Sequence, residues 1–214
     1  MISFDRREAL RYMGYHGAEP DAAVAESLER CAAELQAAVQ PKSISARFPL
    51  SFTGENTMQI GDLTVTSANL ARNLRGCTEV YLMAATLGIG ADRLIARASA
   101  VRMSDAVILQ AVAAAMIETC CDEVNDALRR TAEREGLYCR PRFSPGYGDF
   151  SIEHQRDFSR LLDTPRKIGL TVTESCLLAP IKSVTAVIGL SPEKQDCHRK
   201  GCEECGKTDC NFRR

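Results

Sequence analysis

The sequence predicts an α+β fold in which a twisted, mainly antiparallel sheet packs against one long central helix, with a helical extension at the N-terminus. Three observations lead to this prediction. Apolar residues recur at helical spacing before residue 42, they alternate with polar residues between 43 and 65, and a long helical segment follows residue 104. The expected units are residues 1–42 as the extension, 43–192 as the main domain and 193–214 as a cysteine-rich tail.

Two helices are predicted in the N-terminal extension. The first runs from Asp5 to Met13 and stops at Gly14, which suits the position just after a helix C-terminus. Pro20 begins the second helix and Pro41 ends it. The polar faces of these helices carry no catalytic grouping, so we interpret both as docking or covering helices.

After the extension, the spacing of apolar residues changes from that of helices to that of strands, and a short helix follows. Residues 43–65 read as strands joined by tight turns, and Ser67 is expected to cap a helix through residue 74. The apolar run 80–87 predicts a strand buried on both faces. Gly88 and Gly90 follow it without the lysine of a phosphate-binding Walker loop, and we interpret them as a strand-to-helix turn that could line a pocket.

The longest helix is predicted from Asp105 to about Glu135, capped by Ser104 and terminated by Gly136. Its first half is apolar on nearly every face, which predicts burial in the centre of the domain. Glu118 interrupts this apolar half, and a carboxylate there must be paired, protonated or directed at a cavity. A salt bridge to an arginine and a contact with a ligand are both open.

The last part of the main domain is expected to contain one helix and two strands. Ser151 can cap a helix through residue 162, and apolar residues indicate strands at 170–177 and 184–190. Between the strands, residues 179–183 form a loop that could close one wall of a pocket.

Composition excludes several classes of function. Lys and Arg number 27 against 28 Asp and Glu, for a net charge of −1, so no overall field attracts nucleic acid or an anionic membrane. The first residues contain no apolar signal segment, and no stretch approaches the roughly 18 uncharged apolar residues of a membrane span, so we expect a cytoplasmic protein. In a reducing cytosol its 10 cysteines are expected to be thiols or metal ligands.

Four of these cysteines cluster in the tail with the spacing C-x4-C-x2-C-x4-C. Four thiolates this close in sequence can reach one metal centre, and thiolates favour zinc or an iron–sulfur cluster. The alternative is a set of thiols in a mobile tail or a redox pair. The candidate ligands are Cys197, Cys202, Cys205 and Cys210.

The stretch from Tyr138 to Asp149 is the strongest candidate for a ligand site, because two prolines and two glycines fix and expose its backbone. Arg142 can pair bidentately with a carboxylate, and Tyr147 offers a ring face and a hydroxyl. This combination suits an amino acid joined to a nucleoside. A rigid, solvent-exposed connector is the alternative interpretation.

This stretch resembles a known family. The sequence Arg142-Phe143-Ser144-Pro145-Gly146-Tyr147 is similar to the Arg-x-x-x-Gly-Tyr motif of the activation domain of vitamin B12-dependent methionine synthase. The segment Lys167-Ile168-Gly169-Leu170-Thr171-Val172-Thr173-Glu174-Ser175, then Pro180 and Ser183-Val184, is similar in order and spacing to the residues C-terminal to that motif in the family. The resemblance extends over roughly Asp105 to Pro192. The cysteine tail departs from the fused domain and resembles the tail of free-standing relatives.

The resemblance implies that the chain binds S-adenosylmethionine (AdoMet) and supports the reductive methylation of inactive cob(II)alamin. Arg142 would bind the AdoMet carboxylate, the backbone from Ser144 to Gly146 would follow the ligand, and Tyr147 would pack or hydrogen-bond beside it. Glu118 would receive the amino group, since an acidic residue of the corresponding helix contacts the ligand in the family.

The sequence contains no Asp-x-His-x-x-Gly signature of cobalamin binding. The resemblance therefore implies action in trans on corrinoid-binding methionine synthase modules, with cobalamin carried by the partner and a flavodoxin- or ferredoxin-like electron donor. Two alternatives stay open. One is an AdoMet-dependent methyltransferase acting on a small molecule, although Gly88 and its neighbours match the expected glycine-rich loop poorly. The other is a zinc- or iron–sulfur-binding interaction module.

Overall fold

The structure is a computed structural model and describes residues 2–15 and 18–194. Along these ranges two helices come first, three strands follow, and helices and strands are mixed after that. In chain order the elements are α1 (Arg6–Tyr12), α2 (Ala22–Ala38), β1 (Lys42–Phe52), β2 (Thr57–Ile60), β3 (Leu63–Thr66), α3 (Ala68–Asn73), β4 (Glu79–Thr86), α4 (Ile89–Val101), α5 (Met103–Arg134), β5 (Tyr138–Cys139), α6 (His154–Leu162), α7 (Thr164–Ile168), β6 (Thr171–Val172), β7 (Leu178–Ala179) and β8 (Ser183–Ser191).

The main sheet has the strand order β3-β2-β1-β4-β8-β5, and each neighbouring pair in it is antiparallel. Its centre is formed by β4, which pairs along its full length with β8, from Glu79 opposite Leu190 to Thr86 opposite Ser183. β6 and β7 form a separate two-stranded hairpin. The predicted fold class is confirmed: an antiparallel sheet is packed by a long helix, and α1 and α2 precede it.

Two hydrophobic cores lie on opposite faces of the sheet, because successive side chains of a strand point to opposite sides. On β4, Tyr81 and Met83 face the core formed with α1, α2, α4 and α5. Val80 and Leu82 face the second core, which includes residues of α3, α6 and α7. The prediction that this strand is buried on both faces is confirmed.

Short polar side chains set several helix boundaries, although Ser104 does not. Asp5 accepts hydrogen bonds from the first turn of α1, and Ser67 accepts one from Leu70 N at 3.0 Å, as predicted. The predicted cap at Ser104 is wrong, because extended backbone at Arg102 separates α4 from α5 and the new helix begins at once. Ser104 therefore lies inside the first turn of α5.

Between residues 162 and 179 the structure differs from the prediction. The predicted strand at 170–177 is wrong: its residues divide between β6 and a turn in which Cys176 has a φ of 62° and its N–H donates to Thr173 O at 3.0 Å. The short helix α7 was not predicted, because five residues give too little periodicity to detect.

Within the described ranges, α5 is the one helix long and apolar enough to cross a membrane by length and composition. Buried residues make up 61% of its most apolar window, as expected of the core helix of a folded domain. Its length and composition are therefore explained by its central position in the fold.

Candidate ligand-binding site

The segment that carries the sequence motif continues along β8 after β5 ends. Arg140 N donates to Gly189 O at 2.8 Å, and Phe143 and Val187 exchange two backbone hydrogen bonds of 2.9 Å each. Cys139 pairs with Leu190, and Phe143 pairs with Val187. Between these two pairs, this segment contains one residue more than β8 does. This extra residue is a β-bulge, a feature that bends a strand and redirects its side chains.

The bulge sends two nearby arginines to opposite sides of the sheet. Residues two apart on a regular strand share a face, yet Arg140 and Arg142 do not. Arg140 is buried on the α3 side, where its Nη2 donates to Arg75 O at 3.3 Å. Arg142 reaches α5 on the other face. The bulge therefore directs the Arg142 guanidinium at the long helix.

Arg142 lies between two carboxylates of α5. Its Nη2 donates to Glu118 Oε2 at 3.2 Å, and its Nη1 lies 3.0 Å from Asp122 Oδ1. Residues four apart on a helix are neighbours on one face, which explains why both acids meet the same guanidinium. The contact with Asp122 lacks hydrogen-bond geometry, and among the described residues Nη1 is buried with no hydrogen-bond partner. Arg142 thus retains donor capacity inside the site.

The loop after Arg142 is held by its own backbone. Gly146 N donates to Phe150 O at 2.8 Å, Tyr147 N to Ser144 O at 3.2 Å, and Phe150 N to Tyr147 O at 3.0 Å. Pro145 is buried and Phe150 is 1% exposed, so the base of the loop is fixed in the second core. Tyr147 is 67% exposed and projects from this base. Its ring is therefore accessible to a ligand or a partner.

Asp149 fixes the end of the loop to the start of α3. It accepts hydrogen bonds from Ser67 Oγ, from Ala68 N at 2.7 Å and from Asn69 N at 3.1 Å. The Ser67 hydrogen bond, followed by those of the two backbone N–H groups, lowers the pKa of Asp149 to about 2. Next to it, Gly148 has a φ of +55°, and a Cβ there would lie 2.4 Å from Asn69 Nδ2.

Helix α1 contributes charged groups to the neighbourhood of Glu118, a contribution the sequence analysis missed. Burial, followed by the negative charges of Glu8 and Glu118, raises the pKa of Tyr12 to about 12. Arg11 lies 4.7 Å from the centre of the Tyr12 ring and 2.5 Å from Glu8 Oε1. The N-terminal extension therefore covers the core and also adds titratable groups beside the predicted site. A polar face on α1 was visible in the sequence, but its partner was not.

The loop before β8 is tied to α4 and α5. Ile181 N donates to Asp92 Oδ2 at 2.8 Å, and Lys182 Nζ donates to Gln110 O at 3.1 Å. Ser183 Oγ donates to Pro180 O at 2.7 Å. The main chain of this loop is consequently fixed at the end of the sheet where β8 begins.

The glycines after β4 form the predicted turn, and the end of α2 packs closely against them. A Cβ at Gly90 would lie 2.0 Å from Ala38 O, and one at Gly88 would lie 3.3 Å from Gln40 O. Glycine is needed at position 90 because the start of α4 packs directly on the end of α2.

Two shallow cavities lie away from the motif. One of about 300 Å³ and one of about 470 Å³ are formed without any residue from 138–150. The first is lined by Ile2, Pro41, Lys42, Ser43, Cys120, Glu123 and Val124, and the second by Glu34, Ala37, Ala38, Leu94 and Arg97. The motif residues line neither of them.

The predicted metal ligands Cys197, Cys202, Cys205 and Cys210 lie outside the described residues. Within residues 2–15 and 18–194, no three His, Cys, Asp or Glu side chains are grouped closely enough to hold a metal. The cysteines of the described ranges are thiols rather than disulfides: Cys31, Cys77, Cys120, Cys121, Cys139 and Cys176.

Comparisons with known proteins identify a similar fold. No family model matches the sequence, and no curated protein matches it. Among 13 solved chains that match in structure is the one described as "Crystal Structure of the MetH Reactivation Domain bound to AdoHcy". It has a TM-score of 0.62 and 15% sequence identity, over 88% of this chain and 76% of that chain. The chain is therefore similar in fold to the MetH reactivation domain.

Proposed function

We propose that this protein binds AdoMet and supports the reactivation of a cobalamin-dependent methionine synthase, or of a related corrinoid methyltransferase, in the cytoplasm. The similarity of its fold to a reactivation domain described with bound AdoHcy supports the proposal, because AdoHcy is what AdoMet becomes after losing its methyl group. The observation that carries it is the position of Arg142, which meets Glu118 and retains a buried, unsatisfied nitrogen.

The pair formed by Arg142 and Glu118 is complementary to the amino-acid end of AdoMet. A carboxylate would accept hydrogen bonds from the guanidinium, and an ammonium would donate to Glu118. Asp122 is 59% exposed, and an exposed ion pair contributes at most about 1 kcal/mol, so a ligand carboxylate can displace it at little cost. Binding would then replace the ion pair between Arg142 and Asp122 by two ion pairs with the ligand, one from Arg142 to its carboxylate and one from Glu118 to its ammonium.

The loop from Ser144 to Gly146 would follow the middle of the ligand, with Tyr147 beside it. Its backbone is already held by internal hydrogen bonds and by the Asp149 contacts, so little conformational freedom would be lost on binding. The chain would supply position and electrostatics for transfer of the AdoMet methyl group to reduced cobalt on the partner. Rapid methylation would trap cob(I)alamin, whose formation from cob(II)alamin is unfavourable.

We also propose that the protein acts in trans, with cobalamin on corrinoid-binding modules of its partner and electrons from a flavodoxin- or ferredoxin-like donor. The tail cysteines Cys197, Cys202, Cys205 and Cys210 are proposed to bind zinc or an iron–sulfur cluster. An iron and zinc assay on anaerobically purified protein tests the tail. Metal-free protein with four titratable tail thiols would leave only the redox interpretation.

Calorimetric titration with AdoMet tests the binding site. Hydrogen bonds to charged groups contribute about 1.5–3 kcal/mol, so Arg142→Ala should weaken AdoMet binding roughly 10- to 150-fold. Arg166→Ala is the matched control, because that arginine side chain is 86% exposed on α7, and its variant should bind like wild type. Absence of saturable AdoMet binding by the wild-type protein would refute the site.

A reconstitution assay tests the function. The protein is mixed with inactive cob(II)alamin methionine synthase that lacks its own activation domain, together with a reductant and AdoMet. We expect turnover to return only when both AdoMet and this protein are present. If AdoMet binds but turnover does not return, the reactivation role is wrong although the binding site is right.

A further inference from the structure

Lys182 directly precedes β8, and its cationic side chain has no role in the proposed function. Its Nζ donates to Gln110 O at 3.1 Å, and among the described residues this is its one hydrogen bond. An ammonium group has three N–H donors, so two remain for another acceptor. Burial lowers the pKa of Lys182, while the charge of Asp92 acts in the opposite direction. The site is thus polar, partly desolvated and incompletely satisfied.

The main chain around Lys182 is fixed on both sides. Leu87 N donates to Lys182 O at 2.9 Å, and the preceding N–H, of Ile181, is held by Asp92. Ser183 Oγ lies 2.8 Å from Thr86 Oγ1. The Ile181 side chain is 69% exposed, so the same loop also offers an accessible apolar group. An ammonium can donate a hydrogen bond to a nitrogen at the edge of a heteroaromatic ring, and an exposed aliphatic side chain can pack against the face of that ring.

Lys182 and the Arg142 pair lie along one helix. Gln110, which contacts Lys182, precedes Glu118 by eight residues on α5, or about 12 Å at 1.5 Å per residue. The half-buried Ala114 lies between them, and residues spaced by four follow one side of a helix. An extended amino acid joined to a nucleoside spans such a separation, with its charged end at Arg142 and its base at Lys182.

We propose that Lys182 is a specificity-determining residue that donates a hydrogen bond to a ring nitrogen of the AdoMet adenine. This inference rests on the proposed function, because it places the far end of the same ligand. In this proposal the two ends of the ligand are recognised by different residues. Arg142 and Glu118 select the amino acid, and Lys182 with Ile181 selects the base.

The test compares AdoHcy with its 1-deaza, 3-deaza and 7-deaza analogues, each of which lacks one of the three acceptor ring nitrogens of adenine. By calorimetry, wild-type protein should bind at least one analogue roughly 10-fold more weakly than AdoHcy, as expected for loss of a hydrogen bond to a charged donor. Lys182→Met should bind AdoHcy and that analogue equally. Lys167→Met, an exposed lysine on α7, is the matched control and should keep the wild-type discrimination.

The outcomes separate the two hypotheses. If wild type does not bind AdoHcy or AdoMet, the proposed function fails and this inference fails with it. If Arg142→Ala weakens binding but Lys182→Met still discriminates against the same analogue as wild type, or if wild type never discriminates, this inference alone is wrong. Unfolding midpoints verify that Lys182→Met is folded, and Lys182→Ala, which also lacks a hydrogen-bond donor, replaces it if that variant does not fold.

Discussion

Replacing Gly148 by alanine should distort the candidate loop where it meets α3. The residue has a φ of +55°, a conformation that costs an L-residue about 1–2 kcal/mol. The new methyl group would also lie 2.4 Å from Nδ2 of Asn69, which is closer than real Cβ contacts, and 3.0 Å from its Cγ, which is tight. Overpacking of this kind costs about 1–3 kcal/mol, so we expect Gly148→Ala to lower the free energy of unfolding by about 2–5 kcal/mol.

A second glycine separates backbone strain from collision. Gly136, just after α5, has a φ of +73°, and a Cβ there would meet no heavy atom within 4 Å. Gly136→Ala should therefore show the strain alone, about 1–2 kcal/mol, in denaturant unfolding. Adding Asn69→Ala to Gly148→Ala removes the colliding side chain and should bring the loss of stability close to that of Gly136→Ala.

The same variants link the loop geometry to ligand binding. Because Gly148 separates Tyr147 from the Asp149 contacts, Gly148→Ala should weaken AdoMet binding measured by calorimetry, whereas Gly136→Ala should not. Equal losses of stability in the two single variants would show that the contact with Asn69 imposes no constraint. Wild-type AdoMet affinity in a destabilised Gly148→Ala protein would show that the loop does not position the ligand.

Three further predictions concern the rest of the fold. Phe158 is fully buried, so Phe158→Ala should lower the free energy of unfolding by about 3–5 kcal/mol in urea, whereas Phe52→Ala, at a side chain 42% exposed, should change it far less. The pKa of Asp149 falls from 3.8 to about 2 on folding, so its contribution is present above pH 4 and lost as pH falls towards 2. Asp149→Asn should accordingly show a shallower acid decline of its thermal midpoint than wild type, and identical slopes would contradict this assignment. Burial raises the pKa of Cys121 from 9.0 to about 12, so stability should fall as pH rises from 9 to 12, and mass mapping should find this thiol unlabelled by a thiol reagent at pH 8 until the protein is unfolded.

Local signals in the sequence were sufficient where one side chain or one run of residues decides the structure. Ser67 caps α3 because its hydroxyl acts within one turn, and the run from Val80 to Thr86 lies in β4 because nearly all of its side chains are apolar. Ser104 carries the same capping signal as Ser67, but extended backbone at Arg102 ends α4 and starts α5 before Ser104 can act. The boundary there depends on how two helices turn, which is a tertiary property.

The candidate site was predictable in its residues and not in its geometry. The motif identified Arg142, and the apolar surroundings of Glu118 required a partner for that carboxylate. Their pairing depends on a bulge whose register is set by Val187, more than 40 residues after Arg142, so periodicity could not reveal it. The contact of Asp149 with α3 spans an even longer separation in sequence. Such contacts arise only when the sheet and the helices assemble.

If the proposed site binds AdoMet, its charge should favour the methyl donor over its product. At the contact between α1 and α5, Glu8 pairs with Arg11, and Glu118 and Asp122 flank Arg142, so these five side chains together carry one excess negative charge. AdoMet carries a sulfonium in addition to its ammonium and carboxylate, whereas AdoHcy has lost the sulfonium charge. A partly desolvated negative field favours the more positive ligand. The N-terminal helix therefore belongs to the electrostatics of the proposed site, because Glu8 and Arg11 belong to the same charge balance as Arg142.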